Sequence, residues 1–117
     1  MLKYALPEYN KQIKISTQEA RKLLENNKAV ILDIRMPDEE DVLKHDFVLR
    51  LDPLKLEEHH IHLPKDKTIL VVCNTQNRSP FAALYLREKG YDAKYIEKGI
   101  KELEKEFQKD VIKYENC

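Results

Sequence analysis

The stretch Thr68-Ile69-Leu70-Val71-Val72-Cys73-Asn74-Thr75-Gln76-Asn77-Arg78-Ser79-Pro80 admits few folds. Ile69 to Val72 is a continuous apolar, β-branched run, the pattern of a strand covered on both faces. Asn74 to Asn77 is polar and uncharged, a loop. Ser79 reads as an N-cap and Pro80 as a first helical residue. Phe81 to Lys89 then runs as a helix that Gly90 stops. A loop between a strand end and a helix N-terminus gathers backbone N–H groups around one point. With Arg78 beside it, that point favours an anion, and the Cys73 thiolate is a candidate nucleophile. The competing reading of Cys73 is a small core hydrophobe ending a buried strand.

The rest of the chain alternates in the same way. Ser16-Thr17-Gln18-Glu19 is a capping box, and Ala20, Leu23 and Leu24 share one face of the helix it opens. Asn26-Asn27 ends that helix. Ala29 to Ile34 is a wholly apolar strand apart from Asp33, with Arg35 just beyond it. Asp33 and Arg35 either brace the cysteine loop or form a structural ion pair, and the second reading is favoured. Met36 to Lys44 opens at Pro37-Asp38 as a short helix, and Val48 to Leu51 is a short strand. Asp52-Pro53 starts a further helix. Tyr91 to Ile96 is a strand, and Ile100 to Phe107 is a helix with Ile100, Leu103 and Phe107 in one stripe. The architecture expected is α/β, a mainly parallel central sheet with helices on both faces and Cys73 at its C-terminal edge. Residues 1–14 read as an N-terminal arm, 15–109 as the domain and 110–117 as a C-terminal tail.

These landmarks resemble the single-domain rhodanese-like sulfurtransferase family. Cys73, four intervening residues, Arg78 and Ser79 are similar to its active-site loop. Val30-Ile31-Leu32-Asp33-Ile34-Arg35, Leu63-Pro64-Lys65-Asp66-Lys67 and Glu97-Lys98-Gly99-Ile100 resemble its other signatures, in the same order. The resemblance implies a persulfide formed on catalytic Cys73. Asn74, Thr75, Gln76, Asn77, Arg78 and Ser79 form the substrate-binding loop, and Asp33 and Arg35 support it. It implies small sulfur-containing anions as donors (thiosulfate, polysulfide or a persulfide), a thiol or protein sulfur acceptor, and no metal or organic cofactor. The neutral loop interior argues mildly for polysulfide or persulfide over thiosulfate. Phosphatases and arsenate reductases of similar fold carry one more loop residue, which makes that chemistry the weaker enzymatic alternative. The family's two glycines around His45 are replaced by Lys44 and Val48, and one near Gly99 by Lys98. Those departures motivate a third reading, a catalytically inactive interaction or sensor domain.

Composition narrows the partners. Among 117 residues, 21 Lys and Arg balance 21 Asp and Glu, which gives no support for nucleic acid or an anionic membrane as a bulk partner. No apolar run reaches membrane-spanning length, no signal-peptide core is evident, and the localisation expected is cytoplasmic. Two cysteines, Cys73 and Cys117, make no disulfide framework. Cys117 is a resolving thiol or incidental. His45 is a catalytic base or, the favoured reading, a hydrogen-bonded structural residue. His59, His60 and His62 share no common face with a fourth ligand, so a solvated helix end is expected and no metal site. The oligomeric state stays open, with 1–14 and 110–117 the segments a homodimer would use.

Overall fold

A computed structural model describes residues 11–35, 47–52, 55–73 and 78–115. Within them the strands are β1 (Lys14–Ile15), β2 (Ala29–Asp33), β3 (Val48–Arg50), β4 (Thr68–Val72) and β5 (Ala93–Ile96). The helices are α1 (Thr17–Glu25), α2 (Leu56–His59, continued by a 3-10 turn His60–His62), α3 (Ser79–Glu88) and α4 (Ile100–Glu115). The sheet order is β1-β5-β4-β2-β3, and every pairing is parallel. The apolar run that suggested a strand covered on both faces is therefore the middle strand.

Strand alternation divides the core into two layers. Val30, Leu32 and Ile34, Ile69, Val71 and Cys73, and Ala93 and Tyr95 pack with Leu56 of α2 and Ala82, Ala83 and Leu86 of α3. Ala29, Ile31, Leu70, Val72 and Ile96 pack with Ala20 and Leu24 of α1 and Ile100 and Leu103 of α4. Leu23 and Phe107 lean on the second layer, where the Phe107 ring lies 5.6 Å from that of Phe47. Each Leu or Ile buried in this way contributes about 1.5–3 kcal/mol over exposure.

Local signals set most element ends. Ser16 caps α1, its Oγ accepting from the Glu19 N–H at 3.1 Å. Asn26 is its C-cap, and Asn27 follows at φ 57°. Gly90 closes α3 at φ 93°, with its N–H on the Arg87 carbonyl and the Tyr91 N–H on the Leu86 carbonyl. That pair of bonds is a Schellman closure.

Three expectations need correction. Ile13 and Lys14, read as part of an arm, belong to the body: Ile13 is buried and Lys14–Ile15 pairs with β5. A two-residue strand leaves no alternation to read. The last helix does not stop near Phe107 but runs through Glu115, because no Gly or Pro follows to end it. α3 begins one residue earlier than Ser79-Pro80 suggested: Arg78 occupies the cap position without a side-chain capping bond, and Ser79 is already helical. The helix over Met36 to Lys44, His45, the Asp52-Pro53 helix start from Pro53 on, most of the 1–14 arm and Cys117 lie outside the described residues.

A Cβ at position 90 would meet only Lys65 Nζ, at 3.6 Å, so space is available and the backbone is the obstacle. Gly90→Ala is expected to lower unfolding free energy by about 1–2 kcal/mol, the cost of an L-residue in the left-handed region. Urea denaturation of the two proteins measures it.

Candidate active site

Cys73 is the first residue beyond β4, and its carbonyl accepts the Ile100 N–H at 2.9 Å. The first residue of α4 thus grips the backbone at the cysteine. The side chain belongs to the layer under α2 and α3 and is 1% exposed. The start of α3 stands over that same end of the sheet. Arg78 is exposed there, and Ser79 is buried. α3 is ten residues long and aligns its positive end with the loop's return. Pro80, in its first turn, has no N–H to offer. Asn74, Thr75, Gln76 and Asn77, the remainder of the expected substrate loop, lie outside the described residues.

Asp33 and Arg35 sit on the neighbouring strand end, since Asp33 is in register with Val72. The Asp33 carboxylate accepts from the Arg35 backbone N–H at 3.1 Å and from Nε at 3.0 and 3.2 Å. Nη2 closes the fork at 2.8 Å. Both side chains are almost fully buried. Alternation along β2 sets Asp33 with Ala29 and Ile31, on the sheet face opposite Cys73. The two groups meet through the backbone: the Ile34 N–H donates to the Val72 carbonyl at 3.1 Å, one residue before Cys73.

The histidines divide. His59 and His62 are exposed, with rings 6.2 Å apart. His60 turns inward instead, edge-on to Tyr85 at 5.8 Å and Tyr91 at 5.9 Å, and its carbonyl accepts the Tyr91 hydroxyl. Sequence spacing could not show that, because the 3-10 turn changes which residues share a face. The clamp from Ile100 is likewise invisible in the sequence, because a contact between backbone groups carries no side-chain signal. A cavity of about 550 Å³ lined by Lys28, Lys65, Lys67 and Asp92 opens at the opposite, N-terminal edge of the sheet and is remote from this chemistry.

Comparison with known proteins places this geometry. The profile of the rhodanese-like domain matches residues 16–106. The chain belongs to the rhodanese-like domain family. A relative, the tRNA sulfurtransferase of Haemophilus ducreyi, is 43% identical over 68 residues, 55% of this chain. The chain spans only 14% of that protein's length. Among solved structures, a rhodanese-related protein from Thermoplasma volcanium superposes with a TM-score of 0.70 at 25% identity, covering 80% of this chain and 91% of that one. The NAD-dependent persulfide reductase from A. fulgidus gives 0.58 at 33% identity, covering 67% of this chain and 14% of that one. The rhodanese-like domain here has no helix among its described residues long and apolar enough to cross a membrane.

Removing one partner of the Asp33–Arg35 pair strands a buried charge. Asp33→Ala is expected to cost about 3–5 kcal/mol of stability, and replacing both residues with apolar ones of similar size to recover much of it. Chemical denaturation of the single and double variants tests this.

Proposed function

We propose that this rhodanese-like domain is a sulfurtransferase that carries sulfane sulfur as a persulfide on Cys73. The observation that carries the reading is the position of that thiol: it ends the central strand, under the N-terminal end of α3 and five residues before Arg78. In this reading the thiolate attacks the outer sulfur of thiosulfate, polysulfide or another persulfide. The donor's S–S bond breaks, and the remainder leaves with the bonding pair: sulfite from thiosulfate, a chain one sulfur shorter from polysulfide, a thiolate from a persulfide. An acceptor thiolate then takes the outer sulfur and returns Cys73 to thiolate. Donor and loaded product are both anions, and the backbone N–H groups from Asn74 to Ser79 would stabilise them as an oxyanion hole does. Arg78, exposed at the rim, would orient the donor. Asp33 and Arg35 support the site at one remove, by fixing the strand end beside it. Sulfur transfer also appears in the names of the relatives, although the acceptor named there, tRNA, is a property of proteins much longer than this chain. The acceptor proposed here is a small thiol or a protein thiol, in the cytoplasm, without metal or organic cofactor.

A second reading has its own observation. At 1% exposure Cys73 is as buried as its apolar neighbours, as an inert core cysteine in an interaction domain would be. Intact mass after incubation with thiosulfate or polysulfide separates the two. The expected result is a gain of one sulfur, removed by cyanide or a thiol and absent in Cys73→Ser. No adduct from either donor, with Cys73 also inert to alkylation, assigns the domain to the interaction class.

A further inference from the structure

β2, β4 and β5 begin side by side at the edge of the sheet opposite Cys73. The Thr68 N–H donates to the Lys28 carbonyl at 3.0 Å and the Ile69 N–H to the Asp92 carbonyl at 2.8 Å, so the backbone there is fixed. The cavity of about 550 Å³ at this edge has Lys28, Lys65 and Lys67 in its lining. Two of these ammonium groups are held by neutral partners. Lys67 Nζ donates to Asn27 Oδ1 at 2.8 Å. Lys65 Nζ donates to the Lys89 carbonyl at 3.4 Å and stands 4.9 Å from the centre of the Tyr91 ring. None of the three lysines meets a carboxylate among the described residues. Two carboxylates share the lining, and Asp92 is already engaged. Its Oδ2 accepts the Thr68 hydroxyl at 2.7 Å, and its Oδ1 lies 3.9 Å from Arg87 Nη1. Three cations therefore face one uncompensated carboxylate, that of Asp66, in a chain whose net charge is zero.

We infer that this cavity binds a ligand carrying a chain of two or more phosphates, clasped by Lys28, Lys65 and Lys67. Lysine binds phosphate as a point charge, and several lysines spread around one space suit an anion whose charge is also spread. Lys28 stands immediately before β2, Lys67 immediately before β4, and Lys65 two residues earlier. The volume lies within the roughly 300–1,000 Å³ of small-molecule sites, and a single oxyanion would fill only a fraction of it. Along β4 the path from Thr68 to Cys73 is about 16 Å, at the usual rise of a strand. The bound anion is thus no sulfur donor, and the inference stands apart from the persulfide reading.

Calorimetric titration of the full chain with inorganic triphosphate tests it, at about 0.1 M salt, where distant charges are screened. One binding site is expected, weakening as salt rises. Lys28→Gln, Lys65→Gln and Lys67→Gln should each weaken binding about fivefold, the upper scale of an exposed ion pair. The triple variant should abolish binding with its melting temperature unchanged. Asp66→Asn should tighten binding, because it removes the opposing charge, and Lys105→Gln, on α4, should leave it unchanged. No binding to wild type overturns the inference. So does binding that persists in the triple variant, or that Lys105→Gln weakens as much as the cavity variants do, since either marks general attraction to a lysine-rich surface. If the triple variant does not fold, Asp66→Asn decides: binding that it fails to tighten overturns the inference. Adenosine triphosphate in place of triphosphate separates the two sources of such a chain. Tighter binding assigns a nucleotide, equal or weaker binding assigns inorganic polyphosphate, and both uphold the site.

Discussion

β4 is hydrogen-bonded on both sides, to β2 through five residue pairs and to β5 through three. That double ladder fixes the phase of the strand. A slip of one residue would turn Ile69, Val71 and Cys73 to the layer of α1 and α4 and bring Leu70 and Val72 under α3. Both layers are apolar and closely covered, so neither tolerates the exchange. The sulfur is thereby committed to the side on which α3 begins. The opposite layer still reaches the same residue, but through the backbone, where the Ile100 N–H meets the Cys73 carbonyl. One residue is held from both faces of the sheet.

The Asp33–Arg35 pair extends this control to the neighbouring strand. Burying two charges is expensive, and only a well-formed hydrogen-bonded geometry offsets it. Here the four hydrogen bonds of the pair supply that geometry. One of them ties the Arg35 backbone N–H to the Asp33 side chain at the point where β2 ends. The Ile34 N–H can then extend the ladder to Val72. The pair lies on the face opposite the cysteine, and what links the two is the backbone of adjacent strands.

The legible parts of the sequence were those in which one residue type has one local use. Ile69 to Val72 could only be a covered strand, Ser16 with Glu19 could only open a helix, and Gly90 could only close one. The family resemblance was read from the spacing of Cys73 and Arg78, and the family match over 16–106 agrees with that resemblance. The opaque parts were those decided by tertiary contact. Lys14–Ile15 is a strand only because β5 offers it an edge. His60 faces inward because two tyrosines receive it. Ser79 reads as a cap because caps are often serine, but Arg78 holds the cap position and Ser79 is buried as the first helical residue.

Arg78 and Ser79 take opposite environments at the start of one helix. Successive helical residues are about 100° apart, so adjacent side chains face different surroundings. The guanidinium is left in solvent, and the hydroxyl is carried into the protein. Inside, where the local dielectric is low, a hydrogen bond is stronger and an unmet one more costly. A thiol as buried as Cys73 can hold a charged sulfur only if donors are already in place around it. In the proposed reading those donors would be the backbone N–H groups gathered where the central strand ends and a helix begins.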